Sequence, residues 1–282
     1  VMVNGGYEKP MEVEKVPLDQ SVVYFKAECD FRNRVDKGYF YYSLDGNHWK
    51  VIGNVLNMEY TLPHFMGYRF ALFNYATKET GGYADFDYFK IEDRISDCRR
   101  ADISYADDKL EGHKLDIYLP DTGKPSYKVV VLIYGSAWFA NNMKQAAFQA
   151  LGKPLLDKGF AVVSINHRSS GDAKFPAQIN DVKAAIRFIR ANAAKYKLDT
   201  SFIGITGFSS GGHLASLAGT TNGVKSYTVG TETVDLEGSV GAYSSFSSSV
   251  DAVVDWFGPI DMTRMENCNT TKGGDSPEAA LI

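Results

Sequence analysis

The chain has 282 residues, 44% of them hydrophobic and 23% charged, and carries a formal net charge of −4 at pH 7. That length suits one large or two ordinary domains, and that hydrophobic share belongs to a globular protein with a core. A small negative charge without a basic cluster argues against a nucleic-acid partner, and no run is long and apolar enough to span a membrane.

The opening Val1-Met2-Val3-Asn4-Gly5-Gly6 lacks the basic stretch and apolar core of a signal peptide. Cys29, Cys98 and Cys268 lie far apart and make no metal spacing. They read as three buried free thiols, or as one disulfide with a thiol left over. The residues up to about 95 are crowded with Tyr and Phe. Val22–Ala27 and Gly38–Ser43 alternate with period two and predict strands. Asp45-Gly46 predicts a turn, with His48–Ile52 returning as the partner strand. Tyr68–Phe73 and Ala84–Phe89 predict two more strands. Residues 1–95 thus read as an all-β piece, part of a two-sheet sandwich, with Tyr39, Tyr41, Phe70 and Phe73 filling its core or stacking on sugars.

Tyr42-Ser43-Leu44-Asp45-Gly46 with Trp49, Phe65–Phe70 and Gly81–Asp87 resemble the C-terminal β-sandwich of glycoside hydrolase family 43 β-xylosidases and arabinofuranosidases. The resemblance implies a sugar-degrading parent whose hydrolytic carboxylates sit on a propeller ahead of the sandwich. No propeller precedes it here, so no glycosidase residue is carried across. Asp85 and Asp87 could hold calcium, but alternating charges on a solvated strand face are the simpler reading.

Glu92–Arg100 is polar and reads as a linker. From 101 to 282 strands and helices alternate. Asp102–Tyr105 and Lys114–Leu119 open the series, followed by the apolar runs Tyr127–Tyr134 and Phe160–Ile165, expected to be buried on both faces. Lys144–Lys158 predicts a helix kinked near Gly152 and Pro154. Ile179, Val182, Ile186 and Ile189 lie at helical spacing after Pro176, with Lys183, Arg187 and Arg190 expected outward. Phe202–Thr206 and Val250–Phe257 are further strands, and Ser276–Ile282 resembles a first helical turn. The expected fold class is two domains, a partial β-sandwich followed by an α/β-hydrolase with a mostly parallel, doubly covered sheet of about six strands, the last strands of the usual eight missing.

Gly207-Phe208-Ser209-Ser210-Gly211-Gly212 sits between a strand and a helix, the sequence form of a nucleophile elbow. Ser209 is the candidate nucleophile, and the Ser210 N–H lies at a helix N-terminus where a developing oxyanion can be held. Tyr134-Gly135-Ser136-Ala137-Trp138 follows a strand where esterases place an oxyanion loop, so the N–H groups of Ser136 and Ser210 are the expected donors, with Gly135 shaping the turn. A serine needs a base, usually a His oriented by a carboxylate. The histidine that follows Ser209 is His213, one turn along the helix, where a packing or supporting role is expected, and Trp138 is a further candidate for a supporting role near the site. His167 is the best internal stand-in for a base, and Asp261 the least unsuitable acid among Asp251, Asp255 and Asp261.

Tyr134–Trp138, Asn166-His167-Arg168, Phe175–Ala185, Gly207–His213 and Phe257-Gly258-Pro259 resemble the bacterial esterases that remove feruloyl or acetyl groups from xylan, and the wider hormone-sensitive-lipase-like carboxylesterases. The resemblance implies a serine esterase acting on hemicellulose, outside the cytoplasm, without a metal or cofactor. Its acid and His are expected beyond residue 282, so the chain reads as a fragment of a glycosidase–esterase fusion, weak or inactive by itself. Two other readings compete: a non-catalytic carbohydrate-binding or scaffolding protein, and a serine peptidase of the prolyl-oligopeptidase type.

Overall fold

The computed structural model describes residues 2–3, 11–31, 36–58, 70–72, 74, 79–92, 99–120, 122–265 and 276–282. The chain divides into two compact units, Val1–Ser96 and Asp97–Ile282.

In the first unit, β1 (Met2–Val3) pairs with β2 (Met11–Glu12). A second sheet joins β3 (Tyr24–Asp30), β4 (Lys37–Ser43), β5 (Lys50–Val51) and β6 (Leu56–Asn57), all antiparallel to β4. The turn between β4 and β5 forms where Asp45 was expected to make one. Its carboxylate accepts the N–H groups of Asn47 and His48 at 2.8 Å, and Ser43 Oγ accepts that of Gly46 at 2.9 Å. Tyr39 and Tyr41 are buried. On β3, Lys26 Nζ lies 4.5 Å from the Tyr41 ring centroid and 4.8 Å from that of Trp49.

The expected strand Ala84–Phe89 does not form: its residues are exposed coil, Phe86, Tyr88 and Phe89 among them. Alternation alone cannot make a strand, because its backbone groups need a neighbouring ladder. Asp85 and Asp87 are exposed, and no metal-binding cluster occurs among the described residues. Of the expected strand Tyr68–Phe73, residues 70–72 are exposed coil and the rest lie outside the described residues, as do Cys98 and Cys268. Cys29 is a free, half-buried thiol whose pKa is raised by burial and by the neighbouring Glu28 charge.

The second unit is built on a six-stranded sheet in the order β14–β11–β9–β10–β8–β7. Its strands are β7 (Arg99–Ser104), β8 (Lys114–Tyr118), β9 (Tyr127–Ile133), β10 (Ala161–Ile165), β11 (Leu198–Phe208) and β14 (Ala252–Trp256). β9, β10, β11 and β14 are parallel, while β7 and β8 form an antiparallel margin. Arg99 and Arg100, expected in the linker, already belong to β7. β9 and β10 read as apolar runs because they are covered on both faces, and Val129, Val131 and Ile133 are fully buried. β14 is exposed along its whole length.

Between β9 and β10 the kinked helix appears as α1 (Lys144–Ala147), one π-helical turn over Phe148–Gly152, and α2 (Lys153–Asp157). α3 (Ala177–Ala191) buries Ile179, Val182, Ile186 and Ile189 as its spacing requires. Lys183 and Arg187, expected outward, are buried instead. Lys183 Nζ donates to the carbonyls of Thr221 (3.0 Å) and Val224 (3.1 Å) and lies 3.3 Å from Glu237 Oε2. Arg187 donates to the carbonyls of Glu237 (3.0 Å) and Val240 (3.1 Å) and also to the Glu237 carboxylate. The helix has cations on a second buried face because the 221–250 segment folds over it and supplies acceptors.

That segment holds a hairpin the sequence analysis did not foresee, β12 (Ser226–Val229) with β13 (Glu232–Asp235). α4 (Ser210–Thr220) connects β11 towards it. α5 (Pro277–Leu281) is the expected terminal helix, capped by Ser276, and its Leu281 carbonyl accepts the Phe175 N–H at 2.8 Å.

β9 leads to β10 on one side and β11 lies on its other side, so the carboxyl ends of β9 and β11 flank a point where strand order reverses. Open α/β sheets bind ligands at such a point.

Candidate active site

Ile133 and Gly207 are register partners, so the chain leaving β9 and the chain leaving β11 emerge side by side. Ser209 stands between β11 and α4 at φ 54°, ψ −128°. A non-glycine residue holds such a conformation only when its surroundings impose it. Here they do. Helix α4 folds back so closely that a Cβ on Gly207 would lie 2.8 Å from the Ile133 carbonyl oxygen, and one on Gly211 would lie 2.8 Å from the Ile133 carbonyl carbon. The Ser209 N–H donates to the Trp256 carbonyl at 3.0 Å, and its own carbonyl accepts the His213 N–H at 3.1 Å. Ser209 is thus raised at the tip of a sharp strand-to-helix bend, at the positive end of an eleven-residue helix.

The β9 loop meets this bend. A Cβ on Gly135 would stand 2.7 Å from Ser209 Cβ and 2.6 Å from the Phe208 carbonyl oxygen. The structure therefore brings Gly135, Ser136, Ser209 and Ser210 together. Ser136 needs a correction: its N–H, expected to be free for an oxyanion, donates to Ser210 Oγ at 2.9 Å. The neighbouring Ala137 N–H has no acceptor among the described residues. Ala137 (φ 50°) and Trp138 (φ 62°) both hold left-handed backbone. Ala137 was not singled out by sequence reasoning, although small residues at 135–137 were its signal.

Tyr134, Trp138 and His167 beside the loop are buried, whereas Phe139 is exposed. Trp138 packs edge-on to the His213 ring, with centroids 5.4 Å apart, and its Nε1 has no hydrogen-bond partner. Burial holds the His213 imidazole down at about 4, against the opposing pull of Asp255, and its Nδ1 is likewise unpartnered. His167 is fully buried and stacks on Tyr134 with centroids 4.9 Å apart. Its Nδ1 lies 2.8 Å from the Arg168 carbonyl, which can only accept, so the proton is on Nδ1 and the unpartnered Nε2 carries the lone pair. Burial also lowers the His167 pKa. Neither the His167 nor the His213 imidazole is hydrogen-bonded to the Ser209 hydroxyl.

The three aspartates have other occupations. Asp251 accepts the Ile203 N–H at 2.7 Å. Asp255 accepts the Gly258 N–H (2.7 Å) and the Ser216 hydroxyl (2.8 Å). Asp261 caps a short 3₁₀ turn through Thr263.

Behind the loop, the buried Asp181 of α3 accepts both the backbone N–H of Arg168 (2.8 Å) and its guanidinium (2.7 Å from the terminal nitrogen). His113 Nε2 lies 3.2 Å from Asp181 and its Nδ1 lies 2.6 Å from Asp108. This cluster fixes the Asn166–Arg168 segment that packs His167 against Tyr134.

Residues 115–282 match the family model for BD-FAE. The chain belongs to the BD-FAE family. Residues 1–92 match the β-xylosidase C-terminal concanavalin A-like domain, so the BD-FAE region follows a module of β-xylosidase type. Among solved structures, a bifunctional GH43-CE of Bacteroides eggerthii is 88% identical with a TM-score of 0.91, covering 99% of this chain and 39% of its own. A truncated form of a carbohydrate esterase from gut microbiota is 60% identical with a TM-score of 0.62, covering 67% of each chain. Esterase LipQ of Mycobacterium tuberculosis is 34% identical over 172 residues, which are 60% of this chain and 38% of LipQ. The chain thus spans about two fifths of the length of the bifunctional protein and of LipQ. Its mixed sheet with flanking helices is that of an α/β-hydrolase.

Proposed function

We propose that this BD-FAE chain carries the nucleophile of a serine carboxylesterase that removes acetyl or feruloyl groups from xylan or arabinoxylan. The observation that carries the reading is Ser209 at φ 54° on the strand-to-helix bend, with Gly135 backbone pressed against it. In this reading Ser209 Oγ attacks the ester carbonyl. The carbonyl oxygen, gaining negative charge, is held by the Ser210 N–H at the start of α4 and by the Ala137 N–H of the β9 loop. Gly135 lets the β9 loop backbone come up against the bend that carries Ser209. Turnover also needs a proton acceptor for the Ser209 hydroxyl, and neither His167 nor His213 is bonded to it.

The polysaccharide substrate is supported by the β-xylosidase-type match on residues 1–92 and by the bifunctional GH43-CE relative. A sugar-cleaving and an ester-cleaving module on one chain would meet the same polymer at high effective concentration. In this reading the enzyme would meet its polymer substrate outside the cytoplasm.

The test is hydrolysis of p-nitrophenyl acetate by the full-length protein, followed by acetylated and feruloylated xylan. Ser209→Ala should reduce turnover by about 10⁴-fold or more. Turnover that survives Ser209→Ala would overturn the proposal, and activity on peptides alone would overturn the substrate class.

A further inference from the structure

Ser210 follows the nucleophile and is 1% exposed, yet its side chain is polar. Its Oγ accepts the Ser136 N–H at 2.9 Å. The bond joins the first residue of α4 to the loop that leaves β9. That loop needs holding. Ala137 and Trp138 are consecutive left-handed residues, and such conformations persist only where the surroundings hold them. Several contacts do so. The Ser136 carbonyl accepts the Phe139 N–H (2.9 Å) and the Trp138 carbonyl accepts the Ser170 N–H (2.8 Å). Ser136 Oγ accepts the Ala140 N–H at 3.3 Å. These bonds tie the loop to itself and to the segment after β10. Among the described residues, the bond to Ser210 is the hydrogen bond that ties it to α4, which starts directly after the nucleophile, beside the ring contact of Trp138 with His213.

We propose that the Ser210 hydroxyl is a positioning residue for ester hydrolysis. It locks the Ser136 peptide against α4, so that the Ala137 N–H and the Ser210 N–H keep a fixed spacing for the oxygen that becomes charged. This rests on the esterase reading of Ser209. Donors of this kind act because they are already in place when charge develops, so a loosened loop weakens transition-state binding more than ground-state binding. The opposite effect is also chemically defined: a hydroxyl that merely masks the Ser136 N–H would restrain the enzyme, and its removal would speed it.

The experiment compares wild type, Ser210→Ala and Ser210→Thr in the full-length protein. Thr keeps the acceptor oxygen. With p-nitrophenyl acetate, Ser210→Ala should lower kcat by roughly tenfold or more and leave KM within about twofold, and Ser210→Thr should recover most of the loss. An unchanged or raised kcat in Ser210→Ala would overturn the proposal. Amide hydrogen exchange gives a second readout that needs no turnover. The Ser136 amide should exchange faster in Ser210→Ala than in wild type and be protected again in Ser210→Thr. Equal exchange in wild type and Ser210→Ala would also overturn it. Should the wild type hydrolyse no ester, the reading of Ser209 fails, while the exchange comparison still decides whether Ser210 holds the loop.

Discussion

The backbone of Gly135 lies so close to Ser209 that a methyl group on it would stand 2.7 Å from the serine Cβ. No side chain fits there, and the contact is with backbone and Cβ atoms that cannot swing away. Gly135→Ala should therefore displace the β9 loop and its amides rather than unfold the protein. The expected result is a loss of roughly 100-fold in kcat, with an unfolding midpoint close to wild type. Ester hydrolysis and thermal denaturation on the same preparation check it.

Glu237 answers two buried cations at once, Lys183 and Arg187 of α3, and its Oε2 also accepts the Ser248 hydroxyl at 2.8 Å. Removing it leaves both cations without a counter-charge, a far larger cost than losing a surface pair. Glu237→Ala should destabilise the second unit by about 3 kcal/mol. Urea unfolding should show this, and Glu237→Gln, which keeps an acceptor, should lose less.

His113 sits between Asp108 and Asp181, with Arg168 on the far side of Asp181. Desolvation pulls its pKa down, but the bonds and charges of Asp181 and Asp108 outweigh it and the net shift is upward. A group whose folded pKa is raised contributes stability below its unfolded value, about 6.5, and loses it as pH rises through the folded value. The stability gap between wild type and His113→Gln should thus be widest below about pH 6.5 and narrow towards alkaline pH. Asp181 works in the other direction. Burial raises its pKa, the partners His113 and Arg168 more than reverse this, and its contribution fades in acid as pH falls through the lowered value. Thermal melts across a pH series test both signs.

The residues that make the bend were legible because each is demanded by local geometry. Gly207 and Gly211 have no room for a Cβ, and Ser209 takes a conformation that only such a turn imposes. The burial of Ile179, Val182, Ile186 and Ile189 followed from periodicity for the same reason. What failed depended on partners distant in sequence. Nothing near Lys183 or Arg187 announces that Glu237 will cover them. Nothing near Ser136 announces that a neighbouring helix will use its N–H. Ala84–Phe89 had the alternation of a strand but no strand beside it.

β14 is exposed from Ala252 to Trp256, and its outer edge is unpaired among the described residues. Val253, Val254, Trp256 and Phe257 present apolar surface there. An open apolar edge invites pairing with another chain. These 282 residues expressed alone should self-associate with rising concentration, and Val254→Lys should reduce that association in sedimentation velocity runs.

The same strand reaches the candidate nucleophile through a hydrogen bond, from the Ser209 N–H to the Trp256 carbonyl at 3.0 Å. Part of the backbone geometry that aims the Ser209 hydroxyl is therefore set by β14 and not by the bend alone.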